Sequence, residues 1–273
     1  MSKTQCQKCL KSFASVQRLE SHKNKKIPCV VMDKKDYTDE HLKLIDTLQN
    51  PTPEKIQDEI KEQTNELNTE LFGKVRNDIN LKLDSKTGNS TVIYGSSKAG
   101  KSTLMMYLYK KYYVNDISTL FTESPQIDLY KSKNLIVAPA FFPEVVKEAH
   151  MINKKTKNKY NFTFMLDDIV DQKENDVIRK MILILRNSNI SSITSLQSPV
   201  LLQKANRSSV NNIMFFKFNT AEQIEQIIRF YLNGYLPGKM DDKINLYRQL
   251  TADHHFLYYN PRDNIITRHK III

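Results

Sequence analysis

A chain of 273 residues, 40% apolar and 26% charged, can build one substantial core with a small appendage, and it has the composition of a globular protein rather than a disordered one. No run approaches the ~18 apolar residues that a membrane-spanning helix needs, and Met1 to Gln5 open no apolar leader segment, so an intracellular protein with no membrane partner is expected. A net charge of +11 favours polyanionic partners, because phosphate contacts by Lys and Arg release condensed counterions.

Residues 1–32 are read as a first module. All three cysteines lie within the first 29 residues, an odd number for a disulfide framework. Cys6, Cys9, His22 and Cys29 follow the spacing C-x2-C-x12-H-x6-C, with Phe13 and Leu19 between them. The pattern looks like a zinc finger of Cys-Cys-His-Cys type, in which Zn²⁺ replaces the core that ~30 residues cannot build. Lys8, Lys11, Arg18, Lys23, Lys25 and Lys26 suit nucleic acid, while a single finger reads few base pairs, so tethering to DNA and to a partner protein both stay open.

Residues 33–89 are read as a helical linker broken at Asn50, Pro51 and Pro53. From Glu54 to Leu83 the apolar residues Ile56, Ile60, Leu67, Leu71, Val75 and Ile79 recur at spacings of three, four or seven, which predicts a helix with one narrow apolar stripe.

Residues 90–273 alternate short apolar runs with helical segments. Thr91–Tyr94, Leu135–Ala138, Phe162–Leu166, Ser192–Leu196 and Asn212–Phe218 read as strands, and Phe256–Tyr259 with Asn264–Ile273 as a terminal hairpin. Runs apolar on consecutive positions suit strands covered on both faces, so the expected fold is α/β with a mostly parallel central sheet flanked by helices.

Within this region TVIYGSSKAGKST matches G-x-x-x-x-G-K-[ST] once, between a β-prone run and a helix-compatible one. Gly95, Ser96, Ser97, Lys98, Ala99, Gly100, Lys101, Ser102 and Thr103 are therefore read as a phosphate-binding loop (Walker A). Its glycines let backbone N–H groups approach phosphates, and the helix starting near Lys101 adds its amino-terminal dipole. Lys101 is expected on the β- and γ-phosphates of ATP, and Ser102 on Mg²⁺. A second acidic site is supplied by NFTFMLDD, in which Asp167 would hold the Mg²⁺ and Asp168 would orient or deprotonate the attacking water. Gln197, at the end of the next strand, is the expected sensor of the γ-phosphate, with Ser195 and Ser198 as alternatives.

Taken in order, the P-loop, the Leu-Asp-Asp element, LRNSNISSITSLQSP and LLQKANRSSVNNIMFFKFNT resemble the genome-packaging ATPases of large DNA viruses and virophages, within the FtsK-HerA superfamily. Asp168 stands where many cellular relatives carry Glu. The resemblance implies an ATP-hydrolysing motor that translocates double-stranded DNA as a ring, commonly a hexamer, with capsid or portal proteins as further partners. Arg207 or Arg186 would be its arginine finger, and the virion or viral factory in the host cytoplasm its place. Other readings of the same residues are an oligomeric helicase or replication ATPase, and a zinc-finger regulator switched by nucleotide.

Overall fold

The computed structural model describes residues 72–84, 87–124, 127–132, 134–167, 179–181, 185–202 and 207–271, together with Gln17 and Glu20. Cys6, Cys9, His22, Cys29 and Asp168 lie outside the described residues. The chain divides into two units, Met1–Gln63 and Thr64–Ile273, and the sheet with its flanking helices belongs to the second.

Eight strands among the described residues form one sheet: β1 (Ser90–Tyr94), β2 (Ile117–Thr122), β3 (Leu135–Ala138), β4 (Phe162–Asp167), β5 (Ile190–Leu196), β6 (Asn212–Phe215), β7 (Phe256–Asn260) and β8 (Ile265–His269). Their order across the sheet is β3-β2-β4-β5-β1-β6-β7-β8. Every pairing from β3 through β6 is parallel, and the β7–β8 hairpin adds two antiparallel strands at one edge. Among the described residues, helices α1 (Lys101–Leu108), α2 (Pro143–Thr156), α3 (Ala221–Ile227) and α4 (Met240–Leu250) flank it.

Strands β1, β4, β5 and β6 are buried at every position, as two-sided cover requires. Successive side chains nevertheless sort to opposite faces. Val92 and Tyr94 of β1 and Phe162, Phe164 and Leu166 of β4 join one apolar cluster with residues of α2, α3 and α4. Ile93 and Met165 join the other, with Leu104, Met105 and Leu108 of α1. Each large side chain so buried contributes about 1.5–3 kcal/mol. Asn153, inside α2 and fully buried, aligns two of the strands. Its amide donates to the carbonyls of Tyr160 (2.8 Å) and Ser188 (2.6 Å) and accepts from the Tyr160 N–H (3.2 Å), just before β4 and β5 begin.

The sheet departs from the sequence-based expectation in its details. Strand β2 was not anticipated from ISTLFT, which the polar residues Asn115 and Asp116 separate from the preceding helical run. Strand β5 begins two residues earlier than expected, and β6 and β8 stop sooner.

The predicted helix to Leu83 does not extend past Phe72. Gly73 takes φ +71, the left-handed conformation in which helices commonly end, and residues 74–84 run without helix. The stripe residue Ile79 is instead buried with Leu81 against the α1 face of the sheet. This segment is strapped down by polar bonds. Arg76 exchanges backbone bonds of 3.0 Å with Arg268 and Lys270, and the Tyr112 hydroxyl donates to the Ile79 carbonyl (2.7 Å). Lys111 reaches both carboxylate oxygens of Asp78 (2.6 and 2.7 Å), which holds that carboxyl down at about 2. Tyr112 and Lys111 belong to a π-helical turn, Tyr109–Tyr113, that continues α1 directly.

Candidate active site

Parallel strands deliver their carboxyl ends to one edge of the sheet, and the loop after β1 lies there. Its first amides continue the ladder: Gly95 N–H donates to the Leu196 carbonyl of β5 (3.1 Å) and Ser96 N–H to the Lys217 carbonyl after β6 (3.0 Å). The Ser96 hydroxyl also accepts from the Asn219 N–H (2.9 Å). The loop turns through Lys98 (φ 61) and Gly100 (φ 109), both left-handed, and Gly100 caps α1. The two glycines serve different needs. Gly100 supplies the backbone conformation, whereas Gly95 supplies space, since a Cβ there would stand 2.7 Å from Cβ of Phe216.

Lys101 opens α1 and is only 4% exposed, its ammonium donating to the Ser96 carbonyl at 3.0 Å. An ammonium lying along the inside of its own loop has the placement needed to meet a bound phosphate. The next residue, Ser102, donates through Oγ to Oδ2 of Asp167 at 2.6 Å. Asp167 ends β4 and is 1% exposed. Its other oxygen, Oδ1, accepts from the Ser195 hydroxyl of β5 (2.6 Å), and Oδ2 accepts a further bond from the Tyr130 hydroxyl. Because β5 lies between β1 and β4, the phosphate loop, the acid and the Ser195 hydroxyl meet at one end of three strands.

A cavity of about 690 Å³ opens over this group, a size suited to a nucleotide. Lys101, Ser102, Thr103 and Asp167 line one part of it, and Leu129, Phe256 and Ile271 give another part an apolar wall. His254 and Lys270 border both this cavity and a second one of about 410 Å³ beside Ser96, Lys98 and Lys217. His254 stands in a left-handed conformation (φ 60) following another, Asp253 (φ 52), and its Nδ1 lies 3.2 Å from the Ala99 carbonyl of the loop. Two consecutive non-glycine residues in that region carry backbone strain, and they place an imidazole against the loop. Lys98, Lys101, Lys217 and Lys270 outnumber Asp167 and Asp253 among the residues lining the two cavities, which leaves this end of the sheet cationic.

The remaining expected residues fall elsewhere. Gln197 follows β5 at the correct end of the sheet, but it is exposed and does not line the P-loop cavity; its carbonyl accepts from the Gln223 side chain (3.2 Å). From β5 it is Ser195 that reaches the acid. Arg186 and Arg207 precede the amino ends of β5 and β6, whereas the loop follows the carboxyl end of β1. Arg186 donates to the Ser209 carbonyl (3.3 Å). Arg207 donates through Nε to the Leu202 carbonyl (3.0 Å), and its guanidinium lies 3.4 Å over the Phe230 ring, beside a separate cavity of about 580 Å³ that Arg229, Tyr231 and Tyr259 also line. Neither arginine lines the P-loop cavity of its own chain.

Tyr130, His254 and Lys270 are the site residues that sequence reasoning missed. No motif spacing signals them, since each arrives from a distant segment through the strand order. The donor set of Ser102 and Asp167, a hydroxyl and a carboxylate, is the hard-oxygen chemistry that suits Mg²⁺. Among the described residues no group of three or more His, Cys, Asp and Glu side chains could hold a metal ion.

No protein-family model matches the chain, and no curated protein matches it in sequence. Among solved structures, the fold is similar to the DNA-packaging ATPase B204 from Sulfolobus turreted icosahedral virus, with a TM-score of 0.51 at 15% identity over 68% of this chain and 98% of that one. It is similar also to the genome packaging NTPase B204 from Sulfolobus turreted icosahedral virus 2 in complex with AMPPCP (TM-score 0.51, 16% identity, 68% of this chain and 98% of that chain). The same NTPase in complex with sulfate gives a TM-score of 0.50 at 16% identity and the same two shares. At these identities the likeness concerns the fold, which is that of a P-loop NTPase.

Proposed function

We propose that this chain is an ATP-hydrolysing motor that moves double-stranded DNA and packages a viral genome into a capsid, working as a ring of like subunits. The observation that carries the reading is the meeting of Lys101, Ser102 and Asp167 in one cationic cavity at the carboxyl ends of β1, β4 and β5. Support for the substrate comes from two solved structures of like fold, a DNA-packaging ATPase and a genome packaging NTPase, and from the net charge of +11.

In this reading the triphosphate lies along the amides of Gly95 to Thr103 and the amino end of α1, and Lys101 leaves the Ser96 carbonyl for the β- and γ-phosphates. Ser102 and Asp167 would hold Mg²⁺, which when bound neutralises phosphate oxygens as charge develops on them. Asp168, next in sequence, orients the attacking water, and the γ-phosphate is sensed from the end of β5, by Ser195, which already reaches Asp167, or by Gln197 once it turns into the cavity that it does not line here. Lys101 and Asp167 are themselves buried, so their charges act more strongly on a bound nucleotide than they would in solvent. An arginine finger, Arg207 or Arg186, acts on a neighbouring subunit's nucleotide, because neither lines the cavity of its own chain. Its stacking on Phe230 gives Arg207 a defined orientation for that task. Cys6, Cys9, His22 and Cys29 hold Zn²⁺ in a finger that tethers the motor to DNA or to a protein such as a capsid or portal component. Such a motor would work in the virion or viral factory.

Strand separation discriminates this motor from an oligomeric helicase or replication ATPase. Displacement of a triplex-forming third strand without unwinding of the duplex is the expected result, and efficient duplex unwinding would overturn the packaging reading. A nucleotide-switched regulator would bind ATP yet move no DNA.

A further inference from the structure

Asp167 accepts three of the roughly four hydrogen bonds that a carboxylate can take. Three hydroxyls converge on it from three different elements: Ser102 of α1 and Tyr130 of the 3-10 turn Ile127–Tyr130 on Oδ2, and Ser195 of β5 on Oδ1. The reading of Ser102 and Asp167 as the Mg²⁺-holding pair gives these donors different duties. Ser102 would offer a lone pair to the cation while its O–H stays on Asp167. Tyr130 on Oδ2 and Ser195 on Oδ1 stand outside that pair and, with one bond to each carboxylate oxygen, fix the plane of the group.

Tyr130 is built for such a task. It is 1% exposed and sits in the same buried cluster as Met105, Leu120 and Met165, so its hydroxyl is delivered by a side chain with little freedom. The turn that carries it follows β2, and β2 pairs directly with β4, Thr122 lying opposite Asp167. The hydroxyl thus reaches the acid through the sheet's own strand order.

We propose that Tyr130 is a positioning residue for the metal site, its hydroxyl holding Asp167 in the orientation that faces the cation. The proposal rests on the nucleotide-binding reading above. Groups that orient a metal-holding side chain typically affect metal affinity by about 10–100-fold when removed.

The test is Tyr130→Phe, which keeps the buried ring and removes the one hydroxyl. Full-length wild-type and variant proteins are titrated with ADP by calorimetry without divalent metal, and then with Mg²⁺ at saturating ADP. The expected result is metal-free ADP affinity within about twofold of wild type, with the half-saturating Mg²⁺ concentration raised by about 10–100-fold. Unchanged Mg²⁺ affinity would overturn the proposal, and so would an equal loss of metal-free ADP affinity, which would mark Tyr130 as a packing residue of the whole site. If wild-type protein itself binds ADP indifferently to Mg²⁺, the metal role of Ser102 and Asp167 fails, and the Tyr130 role fails with it.

Discussion

Replacing Gly95 by alanine tests whether the loop is held where the chemistry needs it. The added methyl would meet Cβ of Phe216 at 2.7 Å, against 3.4–4 Å for an ordinary contact, so about 1 Å of displacement is required. Phe216 has little room to yield. It is buried, its ring lies 4.9 Å from that of Phe256, and its carbonyl accepts the Tyr247 hydroxyl at 2.6 Å. The loop must move instead, while its amides remain tied to Leu196 and Lys217. Overpacking of this kind costs about 1–3 kcal/mol of stability. A displacement of about 1 Å at the phosphates costs about 100-fold in turnover, equivalent to about 2.7 kcal/mol of barrier. Steady-state hydrolysis and thermal denaturation of Gly95→Ala, side by side with wild type, measure both. Wild-type turnover together with wild-type melting would refute the close packing of loop on Phe216. The outcome separates this glycine from Gly100, where the left-handed φ rather than space is the constraint.

The same structure carries other consequences. Asn153→Ala removes three hydrogen bonds of a fully buried amide and should cost about 2–4 kcal/mol, read as a lower denaturation midpoint with an unchanged m-value. Burial pushes His269 down from 6.5 to about 4, with Nδ1 at 2.8 Å from the Asp78 carbonyl and Nε2 at 2.7 Å from the Thr267 hydroxyl. Its neutral form is therefore the native one: the unfolded chain takes up the proton first, and stability falls as pH drops from about 6.5 to about 4, by up to about 3 kcal/mol. Denaturation curves across that window should be flatter for His269→Gln, and equal slopes would reject this assignment. One zinc per chain is expected by elemental analysis of protein purified without chelator, and Cys9→Ser should lose it while basal hydrolysis stays.

How much of the fold and site was legible in the sequence depends on the distance over which each feature is determined. The P-loop is written locally, because its glycines, lysine and serine must be contiguous to wrap phosphates, and the apolar runs of β1 and β4 are contiguous too. The terminal hairpin was legible from its turn. Strand β2 was not, since a short mixed run after a long helical segment has no period long enough to declare itself. The stripe misled at its end for a related reason: Gly73 ends the helix before it, Val75 is exposed, and Ile79 is buried with Leu81 as alternate residues of an extended strap. Tyr130 lies 37 residues from Asp167, and only the placement of β2 beside β4 brings them together. The same holds for His254, 155 residues from Ala99, which the turn between α4 and β7 brings to the loop.

The central claim is that nucleotide hydrolysis at the β1 loop is coupled to duplex DNA. Steady-state ATP hydrolysis by zinc-replete protein, with and without double-stranded DNA and beside Lys101→Ala, tests it most directly. Strong stimulation by duplex, abolished in Lys101→Ala, is the predicted result; hydrolysis indifferent to DNA would contradict it.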